Sequence, residues 1–211
     1  MLRFLDRPSA EMTVSAYAQS RFIAPLLVQL LRHHVATVTH VVRVADFAVD
    51  LALEQRLPVS DVFVVAQSGL LHDIGKLKIS TAILNKESAL TDDERRLMHE
   101  HSRFGFEILS ALEFDGVREI VVAHHEWKVH DPYPRAHIVD ARQSAHGVLL
   151  LQQIVAIADT VDALLSGRPY NPKYSIPEVR ALLVEHFAGD PQLLAQTLRR
   201  LVDDSVPSVV H

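Results

Sequence analysis

Seven residues place ring nitrogens or carboxylates where aliphatic helices have little use for them: His40, His72, Asp73, His101, His124, His125 and Asp159. His72 and Asp73 are adjacent near the end of an apolar stretch reading "GLLHDIGK". Burying such groups without partners costs roughly 2–7 kcal/mol each. A divalent cation removes that cost, because imidazole supplies a neutral nitrogen and aspartate an anionic oxygen able to bridge two ions. Lys76 follows His72 by one helical turn, where it could meet a phosphate. Taken alone, "HD" reads equally well as a helix C-terminus with favourable charge placement, and His40 alone reads as a satisfied helix histidine.

The metal reading gains by accumulation. His124 and His125 end a helix whose inner face is apolar. Consecutive helical residues point about 100° apart, so both serve one cluster if the cations straddle the helix end. Asp159 lies inside "IVAIADTVDALL", where a carboxylate needs a partner. Asp162, three residues on, shares nearly the same face. Other histidines have blander readings. His99 is expected on another helix face, solvated. His33 and His34 sit at a helix junction. His130, His137 and His146 lie in a polar loop, and His186 and His211 carry no signal.

Helical spacing dominates the elements that must hold these groups. An apolar stretch from about Ser15 to His33 is interrupted at Pro25. Val38, Val41, Val42, Ala45, Ala48, Val49 and Ala52 form the stripe of an amphipathic helix over about Val35–Gln55. Ser60 can cap the next helix, which runs to about Gly75. "TDDE" at Thr91–Glu94 is a capping box that opens one helix reaching "EILSAL". A helix over about Asp115–Glu126, a proline-bearing loop from Val129 to Gly147, and a long helix closed by Gly167 and Pro169 follow. Two shorter helices, "IPEVRALLVEHF" and "DPQLLAQTLRRLV", complete an all-α bundle of about seven or eight helices. Residues 1–33 are expected as a helical segment packed on the core, and 34–205 as the main domain.

Composition narrows the chemistry. The chain has 211 residues, 48% of them apolar, and can bury a sizeable core without staples. A net charge of -5 lacks the basic excess of a nucleic-acid-binding chain. There is no cysteine, so no disulfide framework and no thiolate metal site. Metals must then be held by nitrogen and oxygen, which suits iron, manganese, zinc or magnesium. "MLRFLDRPSAEM" has no apolar core of a signal peptide, and the uninterrupted apolar runs are too short to cross a bilayer. The expectation is a soluble, cytoplasmic protein with no membrane partner.

The order H, HD, H, HH, D resembles the HD superfamily of metal-dependent phosphohydrolases, and is closest to the HD-GYP branch of cyclic di-GMP phosphodiesterases. The matching stretches are "THVVRVADFA", "SGLLHDIGKLKIS", "ILNKESALTDDERRLMHEHSRFGFEIL", "VVAHHE" and "VAIADTVDALLSGRPY", over roughly residues 37–170. The resemblance implies one divalent cation on His40, His72, Asp73 and Asp159. It implies a second on His101, His124 and His125, with Asp73 bridging. Iron or manganese is expected, with zinc, nickel or magnesium as alternatives. Lys76 would approach the scissile phosphate, Arg168 would hold a phosphate of the nucleotide, and Tyr133 would line the substrate pocket. Two such cations polarise a phosphate and activate a bridging hydroxide for in-line attack, so no side-chain nucleophile is needed.

Three departures stand out. Gly-Tyr-Pro becomes Pro132-Tyr133-Pro134, and proline removes both a donor and the glycine-permitted geometry. Ala36 stands where some members carry a glutamate that, with an aspartate matching Asp162, supports a third metal, so two metals are expected. Asn171 follows "RPY" where a basic residue is common, with Lys173 two further on. These departures leave open two competing readings. One is a catalytically altered signalling module that binds a nucleotide, a protein partner or a second copy. The other is a nucleotidase of the same superfamily.

Overall fold

The structure is a computed structural model and describes residues 23–112, 114–134, 146–167 and 173–201. Helix α1 (Ile23–His33) buries Ile23, Leu26, Leu27 and Leu30, a repeat of three and four that makes one apolar face. Pro25 lies within this helical stretch and does not interrupt it. Residues 1–22, Arg168, His137 and His211 lie outside the described residues.

Two helices form the spine. Helix α2 (Val35–Glu54) buries Val41, Val44, Ala45, Ala48, Val49, Leu51 and Ala52. Helix α3 (Val59–Leu71) starts at an N-cap of Pro58 rather than Ser60, because the proline's fixed φ suits a helix entry and Ser60 is left inside the first turn. The two approach so closely that a Cβ on Gly69 would lie 2.6 Å from Ala45 Cα. That contact sets His40 of α2 beside His72, the residue after α3.

After Asp73 the chain tightens into a 3₁₀ helix, Ile74–Lys78, and then a single turn, α4 (Thr81–Leu84). The capping box at Thr91 and Glu94 is present and opens α5 (Asp92–His99). The single helix expected from there to "EILSAL" is instead two. It breaks at Glu100, and α6 (His101–Ser110) follows. Helix α5 buries none of its residues, whereas α6 buries His101, Ser102, Gly105 and Leu109. The bend therefore turns a surface helix inward at His101.

Helix α7 (Asp115–Ala123) ends at His124. Helix α8 (His146–Ser166) crosses the centre of the domain with Ile154, Val155, Ile157 and Ala158 buried. Residues Val148–Ser166 are long and apolar enough to cross a bilayer by length and composition; here they supply much of the core. Helices α9 (Ile176–His186) and α10 (Pro191–Arg200) close the bundle through Val179, Leu183 and Leu193. No strand occurs among the described residues, apart from an isolated bridge between Lys128 and Phe187. That bridge ties the loop after His125 to the end of α9, with Val129 N–H donating to His186 O at 2.9 Å. Two apolar clusters form, one containing Leu71 and the other Ala158. His72 and Asp159 are the next residues along, at the polar seam between them.

Candidate metal centre

The seven residues singled out by type converge from five elements. His72, Asp73, His101, His124, His125 and Asp159 are all buried, and His40 is partly so. Three of the histidines follow one local rule. Each donates Nδ1–H to the carbonyl three residues earlier: His72 to Gly69 at 2.8 Å, His101 to Met98 at 2.7 Å and His124 to Val121 at 2.5 Å. A carbonyl accepts only, so the hydrogen sits on Nδ1 and Nε2 keeps its lone pair.

The lone pairs of His101 and His124 face each other, and that of His72 faces Nε2 of His40. His101 Nε2 and His124 Nε2 are 3.2 Å apart, as are His72 Nε2 and His40 Nε2. Between neutral His101 and His124 no hydrogen bond is available at that distance, only repulsion. Burial lowers the pKa of His72, of His101 to about 4, and of His124 well below the usual range, so protonation does not relieve it. A cation does. The donor set therefore fits a metal on chemical grounds, and three groups of ligand atoms each lie within 4.8 Å: His101, His124 and His125; His40, His72 and Asp73; His72, His124 and Asp159.

The carboxylates sit between the imidazoles. Asp73 Oδ1 is 3.3 Å from His101 Nε2, and its Oδ2 is 3.6 Å from His72 Nε2 and 3.7 Å from His40 Nε2. One carboxylate thus turns an oxygen to each histidine group. Asp159 Oδ1 is 3.0 Å from His40 Nε2, and its Oδ2 is 3.7 Å from His125 Nδ1. Burial would raise both acids, but charge outweighs it: Lys76 at 2.5 Å holds Asp73 far down, and the hydrogen bond from His40 does the same for Asp159. For His40, burial lowers the pKa, yet bonds to Asp159 and Asp162 raise it to about 9.

A cleft of about 610 Å³ opens beside His40 and Lys76. Its wall also carries Arg43 and Lys173, against Asp162 as the carboxylate among the described residues.

Tyr133 lies at the second histidine group, its ring centroid 4.5 Å from that of His125. His99, expected in solvent, is instead stacked on Tyr133 with ring centroids 3.8 Å apart and planes 3° from parallel. The break at Glu100 and the returning loop cause this, and neither is visible in helical spacing. Arg43 was also missed. Its three-residue offset from His40 was the available signal, since that spacing puts both on one face.

Residues 37–164 match the HD domain family. The chain is 32% identical over 162 residues to the cyclic di-GMP phosphodiesterase response regulator RpfG of Xanthomonas campestris pv. campestris, covering 74% of this chain and 41% of that protein. It is 34% identical over 178 residues to a cyclic di-GMP phosphodiesterase of Thermotoga maritima, covering 81% and 46%. It is 33% identical over 168 residues to the 3'3'-cGAMP-specific phosphodiesterase 3 of Vibrio cholerae, covering 78% and 35%. The chain spans less than half the length of these relatives. Its fold is similar to that of the HD domain of the L. monocytogenes phosphodiesterase PgpH, solved in complex with cyclic-di-AMP, with a TM-score of 0.60 at 17% identity over 84% of this chain and 94% of that one. Histidines paired by Nε2 around a shared aspartate, on an all-helical frame of that shape, agree with the sequence match: this chain belongs to the HD domain family.

Proposed function

We propose that the chain is a phosphodiesterase dependent on two divalent cations, iron or manganese, that opens a cyclic dinucleotide, cyclic di-GMP foremost. One cation would be held by His40, His72, Asp73 and Asp159, and the other by His101, His124 and His125 with Asp73 shared. The observation that carries the reading is the pair of facing Nε2 contacts, both 3.2 Å, with the two oxygens of Asp73 turned one to each pair. When bound, such ions supply Lewis acidity to a phosphate and make water nucleophilic near neutral pH.

The chain's own residues do the rest. Buried imidazoles with fixed Nδ1–H bonds hold their lone pairs in place without reorganisation. Lys76 carries its charge from Asp73 to the cleft wall, beside the position of a bound phosphate. Tyr133 from the Pro-Tyr-Pro loop, and Arg168 beyond the described residues, are assigned to substrate contact. The relatives named as acting on cyclic di-GMP and 3'3'-cGAMP support that substrate class. In the reaction water adds across one P–O bond, giving a linear dinucleotide.

Incubation of manganese- or iron-loaded protein with cyclic di-GMP, 3'3'-cGAMP and bis(p-nitrophenyl) phosphate, with product analysis, tests this. A linear dinucleotide or mononucleotides is the expected product. Cleavage of the generic ester alone would replace the substrate assignment, and cleavage of none would remove the catalytic one.

A further inference from the structure

Asp162 stands next to the candidate metal centre, one turn along α8 from Asp159, yet its oxygens are fully engaged. Its Oδ1 accepts from Arg43 Nε at 2.6 Å and from Ser166 Oγ at 3.4 Å. Its Oδ2 accepts from Arg43 Nη2 at 2.8 Å and from His40 Nδ1 at 2.6 Å. Arg43 Nη2 also reaches Ser166 Oγ at 2.9 Å, which closes the ring of bonds. A carboxylate offers about four lone-pair sites, so Asp162 has none left for a cation. It belongs to none of the metal-capable groups found among the described residues.

We propose that Asp162, locked by Arg43 and Ser166, is the positioning residue of His40: it keeps the hydrogen on Nδ1, aims the Nε2 lone pair at His72, Asp73 and Asp159, and is not itself a ligand. The proposal rests on the two-cation reading above and deepens it. His40 needs such a device more than its neighbours do. His72, His101 and His124 take their Nδ1 acceptor from the carbonyl three residues back, on their own stretch of chain. His40 takes its acceptor from a helix 122 residues away in sequence. Arg43, one turn after His40, makes that acceptor rigid through a bidentate fork, which lysine cannot reproduce. Its charge also offsets that of Asp162, as the charge of Lys76 offsets that of Asp73.

The test is chelator competition on the full chain with manganese, together with total metal at saturation. Asp162→Asn keeps an acceptor for Arg43, but its amide can donate to Nδ1 and so place the hydrogen of His40 on Nε2. The expected result is an unchanged total with one of the two sites weakened about 10–100-fold and the other unmoved. If Asp162→Asn does not fold, Arg43→Lys carries the test, with the same single site weakened several-fold. Loss of a whole metal equivalent in Asp162→Asn would make Asp162 a ligand and overturn the proposal. Equal weakening of both sites, or none, would also overturn it. Selective weakening in a protein that cleaves no cyclic dinucleotide would leave the clamp standing and remove the catalytic reading. Hydrolysis with unchanged affinities would do the reverse.

Discussion

His99 and Tyr133 stack face to face, 3.8 Å between centroids and 3° from parallel. Tyr133 in turn lies 4.5 Å from the ring of His125, and its backbone N–H donates to His125 O at 3.4 Å. A residue outside the candidate metal centre thereby braces the loop that packs on one of its histidines. Burial lowers the pKa of His99, so it stacks as a neutral ring at pH 7. Aromatic pairs of this kind contribute about 0.5–1.5 kcal/mol beyond the area they bury. His99→Ala should lower stability by about 1 kcal/mol in a urea titration and reduce hydrolysis several-fold, while His99→Phe should restore both. An unchanged rate in His99→Ala would show that the stack does not serve the site.

Gly75 packs its backbone directly against α6. A Cβ there would lie 1.9 Å from His101 O and 2.5 Å from Gly105 N. Backbone cannot swing aside as a side chain can. Gly75→Ala should cost about 3 kcal/mol, or about 6–12 °C in Tm for a chain of this length. It should also move His101 away from Asp73, lowering metal affinity. A melting curve that matches wild type would contradict the packing described here.

His40 binds Asp162 through Nδ1 and Asp159 through Nε2, and its pKa of about 9 means that it holds both protons at neutral pH before metal arrives. A cation takes the place of the Nε2 proton, while Nδ1–H stays with Asp162. Metal binding should therefore release about one proton per chain from this residue near pH 7–8. Apparent affinity should rise with pH up to about 9 and then level off. Calorimetry in buffers of different ionisation enthalpy reads the proton directly. Heats that are independent of buffer would contradict the assignment.

The two cation positions should separate by mutation. His124→Ala removes a donor from the group of His101 and His125 and from that of His72 and Asp159, so the second position should empty while His40, His72, Asp73 and Asp159 keep one equivalent. His72→Ala should act on the first position and spare the group of His101, His124 and His125. Elemental analysis after gel filtration distinguishes these results from a general loss of folding, which would empty both.

The candidate cluster of metal-capable side chains was legible in the sequence because adjacent polar residues in aliphatic helices have few other uses. His72-Asp73, His124-His125 and Asp159 stood out for that reason, and the structure brings them together with His40 and His101. What surrounds them was not legible. The Arg43–Asp162 fork joins residues 119 apart in sequence, and no local spacing encodes such a pairing. The helix break at Glu100 lies in a run with no glycine or proline between Thr91 and the break, so the capping box announced a start and nothing announced the stop. The position of His99 depended on that break. Ser60 was a good cap by type, but Pro58 had already opened the helix.

The central claim is that two cations share Asp73. Elemental analysis of manganese- or iron-loaded wild type beside Asp73→Asn, both checked for equal helicity by circular dichroism, tests it most directly. The account predicts two metals per chain in wild type and loss of both in Asp73→Asn, with hydrolysis falling at least about 100-fold, since a shared ligand should matter more than an outer partner worth 10–100-fold. A folded wild type that takes up no metal, or an Asp73→Asn variant that still holds two, would contradict it.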